Sequence, residues 1–172
     1  MKLAILGVGS VGKTVAQLSE EYGHSVVAMA DSKNAIVNPK GVDVGVALEQ
    51  KSNQMPLGDA SLEDIFDSNY DALIEATPTT LESAEPAFSH IKTALESDRH
   101  VVLANKGPVS ERFEELLSIA DESKGTLRFE ATVGGAIPVL STIEDINPKT
   151  VTSVKGILNG TSNFILTRMA AK

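Results

Sequence analysis

The stretch Lys2-Leu3-Ala4-Ile5-Leu6-Gly7-Val8-Gly9-Ser10-Val11-Gly12-Lys13-Thr14 decides how this chain folds. Lys2–Leu6 is a short apolar run that ends at a glycine, the pattern of a buried strand. A helix pattern follows at once, because Val11, Val15, Leu18 and Tyr22 fall at i, i+4, i+7 and i+11, on one helix face. Gly23 stands where a helix stop is expected. A glycine-rich turn between strand and helix makes an anion site, because the unpaired N–H groups and the dipole at the helix start both favour negative charge.

Gly7 to Thr14 satisfies two patterns simultaneously: G-x-G-x-x-G, the dinucleotide fingerprint, and G-x-x-x-x-G-K-T, the P-loop. In the dinucleotide reading each glycine has its own role. Gly7 makes the tight turn, Gly9 lets the backbone approach a pyrophosphate, and Gly12 lets the helix pack closely on the strand. Ser10 and Val11 complete the cofactor-binding turn. Ser25–Ala30 (SVVAMA) reads as a second buried strand. Asp31 follows it, nineteen residues after Gly12, where an acidic residue would bind a ribose 2′-hydroxyl. Ser32 and Lys33 come next and could accept a 2′-phosphate, so NAD and NADP both stay open. The bland alternative makes Asp31 a surface turn residue. The P-loop reading puts Lys13 on the β- and γ-phosphates of ATP and Thr14 on magnesium, with Asp31 imitating a metal-binding aspartate. The internal glycine at the third position, and the strand–helix–strand–Asp31 order, favour the dinucleotide.

The rest of the chain repeats the alternation. Ser32–Gly58 is less regular and is expected to hold a loop and one helix near Val42–Gln50. Asp71–Glu75 reads as a third strand. Thr79 and Glu82 have capping-box spacing and should open a helix to about Ser97, with Ala84, Phe88, Ile91 and Leu95 facing inward. His100–Leu103 is a fourth strand. Pro108 and Ser110 introduce a helix whose inner face is Phe113, Leu116, Leu117 and Ala120. Gly125 ends it, and Leu127–Glu130 is a fifth strand. This order predicts an α/β domain, a doubly wound parallel sheet of the Rossmann type, over residues 1–131. Residues 132–172 break the pattern: Val151–Leu158 reads as a strand and Ser162–Met169 as a helix, the start of a second, α+β substrate domain.

Composition narrows the function classes. The chain has 172 residues, 42% hydrophobic and 22% charged, ordinary for a soluble globular protein. A net charge of −8 argues against nucleic-acid binding, which needs a basic footprint. No run of eighteen apolar residues exists to span a membrane. Cysteine is absent, so disulfides and thiolate metal sites are excluded and a cytoplasmic location is the default.

Three further segments are expected at the C-terminal ends of strands, the edge where open parallel sheets bind ligands. They are Glu75-Ala76-Thr77-Pro78-Thr79-Thr80, Ala104-Asn105-Lys106-Gly107-Pro108, and Glu130-Ala131-Thr132-Val133-Gly134-Gly135-Ala136-Ile137-Pro138. Gly156-Ile157-Leu158-Asn159-Gly160-Thr161-Ser162-Asn163-Phe164-Ile165-Leu166 comes later. Together with the glycine loop, these segments resemble homoserine dehydrogenase, in order and over essentially the whole chain. The resemblance implies an enzyme that interconverts L-homoserine and L-aspartate 4-semialdehyde with NAD or NADP, on the route to threonine and methionine. It implies that Ala76, Thr77 and Lys106 lie at the cofactor, and that Lys106 also acts in catalysis by holding the reacting oxygen during hydride transfer. Gly160 and Thr161 would contact substrate, with Thr161 as a simple helix cap the alternative. Glu130, Val133, Gly135 and Ile137 match a monovalent-cation site, since one carboxylate and backbone carbonyls suit a hard cation. A glycine-rich connection without an ion is the competing reading there.

The family continues well beyond Leu166. The resemblance places the acidic residues for the substrate amine, the proton-moving lysine and most of the homodimer-forming domain past Lys172. The chain is therefore expected to bind cofactor without useful homoserine oxidation. The assay follows NADH or NADPH formation with homoserine as substrate. Turnover on the order of 10 s⁻¹ would show the 172 residues to be catalytically complete.

Overall fold

The structure is a computed structural model. It describes residues 1–172 apart from Leu81, Ala136, Val154, Leu158, Ala171 and Lys172, and the side chains of Pro148, Thr161 and Ser162 also lie outside the description. The chain forms two compact units, Met1–Phe129 and Glu130–Lys172.

The first unit is built on one sheet. Its strands are β1 (Lys2–Leu6), β2 (Ser25–Ala30), β3 (Ala35–Val37), β4 (Ala72–Glu75), β5 (His100–Leu103) and β6 (Leu127–Arg128), in the order β3-β2-β1-β4-β5-β6. Every neighbouring pair is parallel except β2 with β3. The helices are α1 (Ser10–Leu18), α2 (Val44–Ser52), α3 (Leu62–Asp67), α4 (Ala87–Glu96), α5 (Gly107–Glu111) and α6 (Phe113–Glu122). β1 and β2 are buried almost end to end, as strands covered on both faces must be. On one face Phe88, Ile91 and Leu95 of α4 and Leu116 of α6 share a cluster with Leu6, Leu73 and Val101. On the other, Ala16 of α1 and Ala47 of α2 join Ile5, Val26 and Met29. The strand order reverses between β1 and β4, which makes their carboxyl ends the crevice of the sheet.

The sheet and its order agree with the α/β expectation, and several details correct it. The inward residues of α1 are Gly12 and Ala16; Val11, Leu18 and Tyr22 are exposed. The cause is how closely the helix starts against β1. A Cβ added to Gly12 would lie 1.9 Å from the Gly7 carbonyl oxygen and 3.3 Å from Ile5 Cγ2, so only small residues can face inward there. Val15, Leu18 and Tyr22 instead line a cavity of about 640 Å³ beside Ile74 and Val102.

Thr79 and Glu82 open no helix. α4 begins at Ala87, and Glu82 and Ala84 sit at φ +70° and +60°, outside helical geometry. The Thr79 hydroxyl accepts from the Lys106 amide at 3.4 Å instead. Ala84, Phe88, Ile91 and Leu95 are nevertheless buried as expected. The helix expected after Pro108 is two, broken at Arg112, whose φ is −137°. Of its anticipated inner face only Leu116 is fully buried, and Phe113 is exposed. The last strand is shorter than Leu127–Glu130, because Glu130 already begins a 3-10 turn. The irregular segment Ser32–Gly58 holds β3, and α3 follows it before β4; the pattern announced neither.

The second unit has the 3-10 turns Glu130–Thr132 and Pro148–Thr150 and the helices α7 (Val139–Asp145) and α8 (Gly160–Ala170). The described residues of 151–158 form no strand, while Val154 and Leu158 lie outside the description. Among the described residues this unit is helical, not α+β. A strand needs a neighbour for its backbone groups, and none is described within the unit. The expected helix over 162–169 is present inside α8, with Phe164, Ile165, Leu166 and Met169 exposed.

The glycine contacts give a direct stability test. Gly12→Ala should destabilise the fold by ~1–3 kcal/mol, the usual cost of overpacking, or more because its obstacle is backbone. Urea unfolding measures this, with Gly9→Ala, which meets no atom within 4 Å, as the comparison expected to change little.

Candidate functional site

The site begins at the open end of α1. Gly9 precedes the helix in extended conformation, no side chain caps it, and the first turn has no acidic residue. The first helical bond runs from the Lys13 amide to the Gly9 carbonyl at 2.9 Å, which leaves the amides of Ser10, Val11 and Gly12 without intrahelical acceptors. Gly7 has φ +93°, and its amide donates to Ala30 at 2.9 Å, fixing the turn to the end of β2. A Cβ there would lie 2.4 Å from the Ala76 carbonyl oxygen, so Gly7 also presses against the exit of β4. A Cβ on Gly9 would meet nothing within 4 Å. The protein itself leaves room at Gly9, beside N–H donors that have no acceptor among the described residues.

The Thr14 hydroxyl donates to the Ser10 carbonyl at 3.0 Å, a bond within its own helix, and Lys13 is exposed on the helix surface.

Asp31 stands at the end of β2, and its carboxylate is engaged. Oδ1 accepts from the amides of Lys33 and Asn34 at 2.9 and 3.0 Å, the bonds of an Asx turn that reverses the chain into β3. Oδ2 pairs with the Lys51 ammonium of α2 at 2.5 Å. Burial works to raise this carboxyl, but the Lys51 bond and the two amides outweigh it and hold Asp31 below the usual carboxylate range. Asp31 is thus a turn residue and a sheet-edge carboxylate at once, with a cation beside it that the sequence reading missed.

Two further edge segments converge on the crevice. The amide of Ala76 donates to Leu6 at 2.8 Å and that of Ala104 to Glu75 at 2.9 Å, extending the strand ladder past its ends. Asn105 is buried; its Nδ2 donates to the Thr77 hydroxyl at 3.2 Å and to the Pro78 carbonyl at 3.1 Å. Lys106 follows it at the head of α5, exposed and without an ion pair to any described residue. The structure therefore gathers Gly7 to Gly12, Asp31, Ala76, Thr77 and Lys106 along one edge. Sequence reasoning missed the fully buried Glu75, bonded to His90 at 2.8 Å. The available signal was a histidine inside the apolar stripe of α4, between Phe88 and Ile91.

In the second unit Gly160 is the first residue of α8, and the Thr161 side chain lies outside the described residues. Glu130 acts structurally. Its two oxygens accept from the amides of Leu140 and Ser141 at 2.9 Å each, and these bonds hold its carboxyl below its ordinary range. Gly134 and Gly135, at φ +71° and +63°, turn the chain between Val133 and Ile137. A hard cation here would share a carboxylate that already caps α7 and would draw its other ligands from backbone carbonyls. Among the described residues no group of three or more acidic or histidine side chains could hold a metal, and no helix is long and apolar enough to cross a membrane.

Comparison with known proteins adds two family matches. Residues 1–96 match the model of the glutamate/leucine/phenylalanine/valine dehydrogenases, and residues 138–172 that of homoserine dehydrogenase. The first match contains the glycine loop and the centre of the sheet. A homoserine dehydrogenase of Methanocaldococcus jannaschii is 34% identical over 98% of this chain and 56% of its own length. A structure from Archaeoglobus fulgidus assigned to homoserine dehydrogenase has TM-score 0.80 and 36% identity, over 100% of this chain and 55% of that one. A hyperthermophilic archaeal homoserine dehydrogenase in complex with NADPH shares the fold, with TM-score 0.68 and 23% identity over 83% of this chain and 47% of that one. The chain spans about half the length of these relatives.

The space at Gly9 yields a clean test of the loop. Gly9→Val should leave the unfolding transition where it is and abolish dinucleotide binding, because the added carbons would fill room that no protein atom claims. Isothermal calorimetry with NAD and NADP reads the second effect, and unchanged affinity would remove this loop from the site.

Proposed function

The chain belongs to the homoserine dehydrogenase family as its N-terminal NAD(P)-binding region, and we propose that it supplies the cofactor half of an enzyme interconverting L-homoserine and L-aspartate 4-semialdehyde. One observation carries this reading: the uncapped start of α1, with open space at Gly9, faces the crevice where strand order reverses. A pyrophosphate would take the free amides of Ser10, Val11 and Gly12, where the helix dipole favours its charge. Asp31 and Lys51 would meet the adenosine ribose. Ala76 and Thr77 would border the nicotinamide half, across the crevice.

When bound, the nicotinamide supplies the hydride acceptor or donor. This chain's own contribution would be electrostatic and positional. Lys106, exposed at the edge and without an ion pair among the described residues, would aim its ammonium at the reacting oxygen and stabilise the charge that builds there as hydride is transferred. Gly160 and Thr161 would contact the substrate, and the Glu130–Ile137 loop would hold a monovalent cation. A homodimer in the cytoplasm, acting on small molecules without nucleic acid or membrane, completes the proposal.

Titration with NAD, NADP and ATP tests it: either dinucleotide should bind, and ATP with magnesium should not compete. Ribose recognition should divide between the two charges. Asp31→Ser removes repulsion of a 2′-phosphate and should shift preference toward NADP. Lys51→Ala removes the neighbouring cation and should weaken NADP more than NAD. Retention of the parent NAD/NADP ratio in both variants would show that neither side chain faces the ribose.

A further inference from the structure

Glu75 ends β4 with its side chain completely buried, and buried carboxylates are stable only when their oxygens are well supplied with donors. The donors here can be assigned one by one. Asn105 Oδ1 accepts from the Gly107 amide at 2.9 Å, which fixes the orientation of the Asn105 amide. Its Nδ2 must then donate to the Thr77 hydroxyl at 3.2 Å. The single proton of that hydroxyl is thereby directed to Glu75 Oε1, which also accepts from the Thr77 amide at 2.9 Å. Glu75 Oε1 is an acceptor on both bonds; its other oxygen, Oε2, lies 2.8 Å from His90 Nδ1, and against an ionised carboxylate that nitrogen is the donor. Every member has one consistent role, and no buried side-chain polar atom among the described residues lacks a partner.

We propose that His90 is a positioning residue for the cofactor edge, acting through Glu75, Thr77 and Asn105 on the two loops that carry Ala76–Thr77 and Lys106. This rests on the reading that those loops border the nicotinamide. The described hydrogen bonds of the His90 ring reach Glu75 and not Thr77, Asn105 or Lys106. It sits on α4 and lines a groove of about 700 Å³ between α3 and α4. Its ring donates the one bond that holds the outer oxygen of Glu75. Without that donor the carboxylate faces burial with one oxygen unsupplied and must turn toward the groove to find water. Thr77 would then lose its acceptor, the hydroxyl that receives the Asn105 amide would lose its fixed direction, and the loops would lose their fixed spacing. A supporting network of this kind sets precision at a site without entering it.

Three substitutions separate positioning from mere packing. His90→Asn places an amide nitrogen where Nδ1 stood and keeps the donor. His90→Gln carries its amide further out, toward the Nε2 position, and leaves Glu75 without it. His90→Leu fills the space with no donor. Two readouts are taken on protein shown to be folded by its unfolding transition. The first is the NMR positions of the Asn105 side-chain amide and the Thr77 and Gly107 backbone amides. The second is the dissociation constant for NAD and NADP.

His90→Leu and His90→Gln should move all three resonances and weaken the cofactor about tenfold or more, the scale of a lost bond to a charged group. His90→Asn should restore the resonances and bring affinity within about threefold of the parent. If His90→Leu does not fold, the Asn and Gln variants alone decide. Unmoved resonances in His90→Gln, or an Asn variant no better than Gln, would overturn the relay. Should the parent bind neither dinucleotide, the proposed function fails, while the resonances still judge the relay on their own.

Discussion

No side chain fits between the first turn of α1 and the end of β1. The 1.9 Å that would separate a Gly12 Cβ from the Gly7 carbonyl makes this a constraint of backbone against backbone, which no rotamer can relieve. The free amides of α1 can face the crevice only because the helix begins so close to the strand. That closeness also puts Gly12 and Ala16 inward and displaces the larger residues of α1 to its flank. The turn in turn leans on β4, since Gly7 has no room for a side chain beside Ala76. The centre of the sheet and the mouth of the site are thus one packing problem.

The charges of the edge follow a similar economy. Asp31 serves its own turn and Lys51, and Glu75 serves Thr77 and His90. In each case a carboxylate is fixed by several donors before any ligand arrives. Lys106 is the contrast, an exposed cation with no partner of opposite charge among the described residues. Pre-ordered carboxylates and an exposed cation along one sheet edge suit a site that must hold a ligand in one geometry.

How much of this was legible in the sequence depends on the kind of signal. The strands of the parallel centre were readable because burial on both faces gives unbroken apolar runs such as Val26–Ala30. The glycine loop was readable because close backbone contacts at Gly7 and Gly12 leave glycine no substitute there. β3 was not, since three residues at an edge carry no periodicity. Thr79 and Glu82 misled because capping-box spacing is a local preference, and the bond from Lys106, twenty-seven residues away, claims the Thr79 hydroxyl instead. The α1 stripe misled because a helix pattern reveals which residues align, not which side approaches the sheet. Lys51 carried no signal and His90 only its odd place in an apolar stripe, because their partners Asp31 and Glu75 are neighbours only after the chain has folded.

The antiparallel β3 has a consequence for the order of assembly. β2 and β3 are joined by the four residues Asp31 to Asn34, so their pairing closes a short loop at little entropic cost. β1 and β4 pair Leu6 with Glu75, and no such contact forms until most of the intervening chain is placed. The crevice lies between these two late partners. A nascent chain that has only its glycine turn and first hairpin therefore presents half a cradle and has no grip on a dinucleotide. Ligand present during synthesis would select the finished sheet alone, by mass action, and would shield the completed molecule without helping it to nucleate.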